Sequence, residues 1–123
     1  MNNNYNEDDL CYIFKKYLHF HNKYSEIYDK MIVLMMVGQF YEIYAVINDE
    51  MHIGPDLNEI CDILNIHVAK RNNNIQEITI DNFLMAGFPD HALVKYKNIL
   101  LNHNYTIILV DQITPAPNPE RDV

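Results

Sequence analysis

The sequence predicts an α/β sandwich in which helices flank the faces of a mixed β-sheet. Three observations predict it. Met31 to Val46, MIVLMMVGQFYEIYAV, is an apolar run broken at its middle by Gly38 and Gln39. Tyr105 to Val110, YTIILV, is nearly all apolar or β-branched and long enough only for a strand buried on both faces, hence a central one. Amphipathic segments with helical spacing lie before and between these runs, and strands interleaved with helices build a covered sheet.

The run from Met31 reads as a hairpin, because a central glycine among β-branched and aromatic residues disfavours one continuous helix. Gly38-Gln39 suits a two-residue type II′ turn, whose first position needs the positive φ that glycine adopts without a Cβ clash. The strands are then Met31 to Val37 and Phe40 to Ile47. Strand side chains alternate, so Phe40 and Glu42 share one face while Tyr41 and Ile43 share the other. An aromatic ring and a carboxylate therefore project together beside a turn.

Residues 1–9 begin with an Asn-rich stretch expected to be disordered, and Asp8 or Asp9 is placed to cap a helix. Leu10, Ile13, Phe14, Tyr17 and Leu18 recur at helical spacing to about Lys23, and Tyr12, Tyr17, Tyr24 and Tyr28 read as core and rim and not as a base-stacking platform. Asn48-Asp49-Glu50 and Gly54-Pro55 mark a loop, and Pro55 fits the first turn of a helix carrying Leu57, Ile60, Cys61 and Leu64. Ile66, Val68 and Lys70 suggest a short strand that ends at the Arg71-Asn72-Asn73-Asn74 turn. Glu77 to Asp81 and Phe83 to Phe88 read as extended, the second ended by Gly87 and Pro89. A third helix from about Asp90 turns Leu93, Tyr96, Ile99 and Leu100 inward, and Asn104 is a left-handed stop. Pro115, Pro117 and Pro119 make 114–123 a linker leaving a domain that spans 10–113.

The chain has 123 residues, enough for one self-sufficient domain, and its 49% hydrophobic content excludes a disordered polymer. No apolar run is long enough to span a bilayer, and the first residues lack a signal-peptide pattern, so an intracellular, soluble protein without membrane contact is expected. Cys11 and Cys61 are then reduced thiols. The formal charge of −8 argues against a free-standing nucleic-acid binder, which needs a basic face. Half of that excess sits in the tails, in Glu7, Asp8, Asp9, Glu120 and Asp122 against Arg121. Lys70-Arg71 and Lys95/Lys97 remain as local positive patches.

Several segments resemble one family. Gly38-Gln39-Phe40-Tyr41-Glu42 resembles the GDFYE segment of the mismatch-recognition domain, domain I, of MutS proteins. Ala69-Lys70-Arg71 is similar to that family's TKR, and Met85 to Ala92, MAGFPDHA, to its MAGxPxHA. Tyr96 falls where that helix carries a tyrosine. Asp111-Gln112 resembles its glutamate-glutamine pair, and Arg121 and Val123 its RxV exit stretch. Gln39, Asn104 and Asp111 depart from the family's aspartate, glycine and glutamate, and leave the Phe-x-Glu pair untouched.

The resemblance implies a mismatch-sensing DNA-binding module that is not itself an enzyme. By it, Phe40 enters the minor groove and stacks on a mispaired or unpaired base in double-stranded DNA, while the Glu42 carboxyl hydrogen-bonds that base. Lys70 and Arg71 either hold phosphates or form a solvated turn. The resemblance also implies further MutS domains, a dimer for the full-length protein, and an ATPase using ATP and Mg in a C-terminal region absent here. No GxxxxGK[ST] loop occurs in this chain, which is therefore not the nucleotide-hydrolysing part.

The FYE triplet alone reads as a core phenylalanine beside a solvated glutamate, and the ordered matches downstream turn that reading. The rival class is a small metal-dependent nuclease-like α/β enzyme using Asp81, Asp90 and Lys95. A third class is a domain kept for protein contact alone. His19, His21, His52, His67 and the cysteines invite a metal reading, but His19-x-His21 on a helix splays its two rings, so no metal is expected.

Overall fold

The computed structural model describes residues 11–112 and 120–123. The expected tail over 1–9, its capping aspartates, Leu10 and the three linker prolines lie outside those residues. Among the described residues the order is α1 (Tyr12–Ser25), β1 (Met31–Val37), β2 (Phe40–Ile47), β3 (His52–Ile53), α2 (Leu57–Leu64), β4 (Ala69–Lys70), β5 (Leu84–Pro89), a 3-10 turn (Asp90–Ala92), α3 (Leu93–Asn102), β6 (Thr106–Gln112) and β7 (Arg121–Asp122). The strands form one mixed sheet in the order β4-β5-β2-β1-β6-β7, with β3 paired to β2. β1 runs parallel to β6 and antiparallel to β2, and β2 is antiparallel to β5.

The hairpin forms as its sequence dictates. Val37 pairs with Phe40, leaving a two-residue loop. Gly38 has φ +62°, and Gln39 is not among the residues with positive φ, which is the sign pattern of a type II′ connection. Helices cover both faces of the sheet. On the face that carries Tyr44, Tyr17 of α1 meets the Tyr44 ring edge-on at 5.4 Å and donates its hydroxyl to the Val33 carbonyl at 2.8 Å. On the opposite face, Tyr96 of α3 stacks on Phe88 at 4.4 Å, and Phe88 lies beside its cross-strand partner Tyr41. The core between these layers includes Phe14, Ile32, Leu34, Ile43, Leu57 and Leu100, all fully buried.

Four local expectations are corrected. Tyr105 to Val110 is not the middle of the sheet: β1 and β2 are, and among the described residues β6 lies between β1 and the two-residue β7, with Ile107 and Leu109 partly exposed. Arg121–Asp122, expected in a departing linker, pair antiparallel with Asp111–Gln112, because that edge of β6 offers free backbone groups. Glu77 to Asp81 is not a strand. Its backbone is gathered by the buried side chain of Asn82, whose amide donates to the carbonyls of Ile75 and Glu77 and whose oxygen accepts the Asn72 N–H at 2.8 Å. Pro55 precedes α2 instead of opening it, with Asp56 at the N-cap position.

β5 runs through Gly87 and ends at Pro89. Gly87 lies opposite Glu42, and a Cβ there would stand 2.6 Å from the Tyr41 carbonyl oxygen and 3.3 Å from the Glu42 Cγ. Only glycine lets the two strands approach this closely. Asn104, expected as a left-handed stop, has φ +67°, and Asn65 ends α2 in the same way at φ +56°.

Candidate nucleic-acid interface

β2 carries Phe40 at its first position and Glu42 two residues on, so alternation puts both on the face that α1 covers further along, at Tyr44. Phe40 is 48% exposed, although it is a large apolar ring in the first position of an otherwise buried strand. The core-phenylalanine alternative therefore does not hold. Its neighbour Tyr41 is 4% exposed and donates its hydroxyl to Asp111 at 2.7 Å. The alternation that frees Phe40 thus locks Tyr41.

Glu42 is half-buried and is not the solvated surface glutamate of that alternative. The Tyr44 hydroxyl donates to its Oε1. Burial pushes the Glu42 carboxyl above its ordinary value, while the Tyr44 donor and the charge of Arg121 pull it down without cancelling the shift. Burial, with the bond to Glu42 behind it, raises the Tyr44 hydroxyl well above the ordinary phenol, so it remains a donor. Below the ring sits a carboxyl that is partly desolvated and internally bonded.

The turn that presents Phe40 is held from the far end of the chain. The Gly38 N–H donates to Gln112 Oε1 at 2.9 Å, and Arg121 donates to the Met36 carbonyl at 2.6 Å and to Gln112 Oε1 at 3.2 Å. On the other side of the turn the Asp90 N–H donates to the Gln39 carbonyl at 2.8 Å.

Lys70 and Arg71 do not join this group. Lys70 pairs with Leu84, which is opposite Ala45, five residues along β2 from Phe40 and about 17 Å away at the usual strand rise. The two cations also part company. Lys70 shares the face of Ala45 and Leu84, whereas the Arg71 guanidinium lies 5.6 Å from the centre of the Phe83 ring, which packs on Tyr44 on the face of Phe40 and Glu42. Sequence reasoning overlooked Tyr44, Asn82 and the contact of Gln112 with Gly38. Of these only Tyr44 left a signal, a hydroxyl two residues beyond Glu42 on an alternating strand.

The nuclease constellation is not assembled. β5 separates Asp81 from Asp90, and the Lys95 ammonium sits over the Tyr96 ring at 5.1 Å. Among the described residues no group of three or more His, Cys, Asp or Glu is placed to hold a metal, and no helix is long and apolar enough to cross a membrane. Cys11 and Cys61 are free, and burial pushes the Cys61 thiol up to about 11.

Fold and site define a small mixed α/β domain that offers an aromatic ring and a tethered carboxyl for contact at a hairpin tip. Residues 13–121 match the family model described as MutS domain I, and the chain belongs to that family. It is 30% identical over 112 residues to a putative DNA mismatch repair protein, a mutS homolog, of Acanthamoeba polyphaga mimivirus, a match covering 89% of this chain and 10% of that one. It is 32% identical over 92 residues to the DNA mismatch repair protein MutS of Rickettsia prowazekii, covering 74% and 9%. With the DNA mismatch repair protein MutS of Chlorobium limicola the identity is 31% over 86 residues, covering 70% and 8%. The chain spans about a tenth of the length of these relatives. It is a module of DNA mismatch repair proteins.

Proposed function

We propose that this domain senses mismatches in double-stranded DNA by inserting Phe40 at a mispaired or unpaired base while the Glu42 carboxyl hydrogen-bonds that base. The observation that carries the reading is the exposure of Phe40 at a pinned hairpin tip, directly beside a half-buried carboxyl, in a chain of the MutS domain I family. An apolar wedge unstacks a base step and kinks the duplex at a cost of a few kcal/mol. A mismatch has already lost pairing and stacking, so the deformation is cheaper there than in a perfect duplex. Stacking of the ring on the displaced base returns about 1–3 kcal/mol, and every base has a π-face, so detection is independent of sequence.

On this reading Arg71, on the same face as Phe40 and well along the sheet from it, meets a phosphate, and Lys70 meets one from the other face. A domain with net charge −8 draws most of its backbone affinity from elsewhere. On this reading the domain works inside a longer, dimeric MutS protein whose other domains clamp the duplex and whose ATPase, using ATP and Mg, lies outside this chain. The test is titration of matched and singly mismatched duplexes with the full-length protein and its Phe40→Ala variant at one fixed salt concentration. Loss of mismatch preference is expected, and a retained preference would overturn the reading.

A further inference from the structure

We propose that Tyr44 is a specificity-determining positioning residue: by holding Oε1 of Glu42, its hydroxyl leaves Oε2 as the oxygen presented to a displaced base. The inference rests on the reading of Glu42 as the base-contacting carboxyl. Tyr44 is 2% exposed, and its ring is fixed by edge-on contacts to Tyr17 at 5.4 Å and Phe83 at 5.3 Å. Tyr17 is in turn tied to the β1 backbone through its own hydroxyl. The donor that reaches Glu42 is thus placed by the core and has no freedom to follow the carboxyl.

A glutamate side chain loses rotamer freedom when ordered, and that loss opposes binding. If the Tyr44 bond orders Glu42 before DNA arrives, that cost is not charged to the mismatch complex. The bare backbone of Gly87 opposite leaves Glu42 room to take this position, since a Cβ there would stand 3.3 Å from the Glu42 Cγ. With Oε1 accepting from Tyr44, an ionised Glu42 offers Oε2 to a base donor. A protonated Glu42 carries its proton on Oε2 and offers it to a base acceptor, with Oε1 still accepting from Tyr44. One tethered group therefore serves either kind of displaced base edge. Against paired DNA it remains a fixed charge with no partner.

The experiment is a double-mutant cycle in the full-length protein with Tyr44→Phe, Glu42→Ala and both together, reading the ratio of mismatched to matched duplex affinity at one salt concentration. Phenylalanine keeps the ring contacts, and the melting temperature of each variant checks the fold. Tyr44→Phe is expected to reduce the ratio about three- to tenfold, the equivalent of one hydrogen bond, and to have no further effect once Glu42 is alanine. An equal reduction in both backgrounds would overturn the inference, because the hydroxyl would then act through packing. Unaltered discrimination in Tyr44→Phe, with discrimination lost in Glu42→Ala, would overturn it while leaving the Glu42 reading intact. Unaltered discrimination in Glu42→Ala would overturn the Glu42 reading and this inference with it.

Discussion

The side chain of Gln112 spans the peptide groups of Gly38, accepting its N–H at 2.9 Å and reaching its carbonyl with Nε2 at 3.5 Å, across 74 residues of sequence. The last residue of β6 thereby holds the turn that presents Phe40. Gln112→Ala should cost about 1 kcal/mol of stability, the worth of one net hydrogen bond, and speed hydrogen exchange at the Gly38 amide. Gln112→Glu keeps the acceptor and should keep that amide protected. Amide exchange followed by NMR separates the two, and equal protection in the alanine variant would show that Gln112 does not hold the turn.

Adjacent residues on β2 should respond in opposite ways to truncation. Phe40→Ala removes a ring that is 48% exposed and should leave the melting temperature nearly unchanged. Tyr41→Ala empties a buried site and deprives Asp111 of its donor, and should destabilise by about 3–5 kcal/mol. Denaturant unfolding of both variants decides it. Equal losses would return Phe40 to the core.

Asn82 gathers the loop between β4 and β5 through three side-chain hydrogen bonds and a fourth from its backbone N–H to the Thr79 hydroxyl, and it is the buried polar residue of that loop. Asn82→Ala strands several of their partners and should cost at least about 2 kcal/mol. Because Arg71 and Lys70 border this loop, matched and mismatched duplexes should weaken together in the full-length protein, as expected for phosphate contacts. A selective loss of mismatch binding would instead tie the loop to base reading.

The carboxyl of Glu42 sets a pH dependence whose sign follows from its raised value in the folded state. A group that holds its proton more tightly when folded contributes stability that is fully present below its unfolded value and is lost as pH rises through the folded one. At neutral pH the ionised Glu42 therefore costs stability. Glu42→Gln removes the charge and keeps an acceptor for Tyr44, so its melting temperature should exceed that of the parent at neutral pH, with the gain shrinking as acid protonates the parent. Melting curves across that range check it. A glutamine variant less stable than the parent at neutral pH would reverse the sign.

The sequence by itself determined the local elements, because each is written in a period that one segment carries alone. Alternation about Gly38 defines the hairpin and puts Phe40 and Tyr41 on opposite faces. Three-and-four spacing defines the helices, and Asn104 stops the last of them at positive φ. It also contained the Phe-x-Glu pair, since two residues on one strand face need no tertiary information to be neighbours. The tertiary structure decided what holds that pair and where the cations stand. Which strand lies beside β1, which amide spans Gly38, and which guanidinium reaches the Met36 carbonyl depend on segments brought together from up to 85 residues apart. Local periodicity has no term for such contacts. The same reason moved β6 from the expected centre of the sheet toward its edge, folded Glu77 to Asp81 around Asn82, and carried Lys70 and Arg71 away from the hairpin tip. A strand's neighbours and a side chain's partner are chosen by packing and by the satisfaction of buried polar groups, and both are properties of the assembled domain.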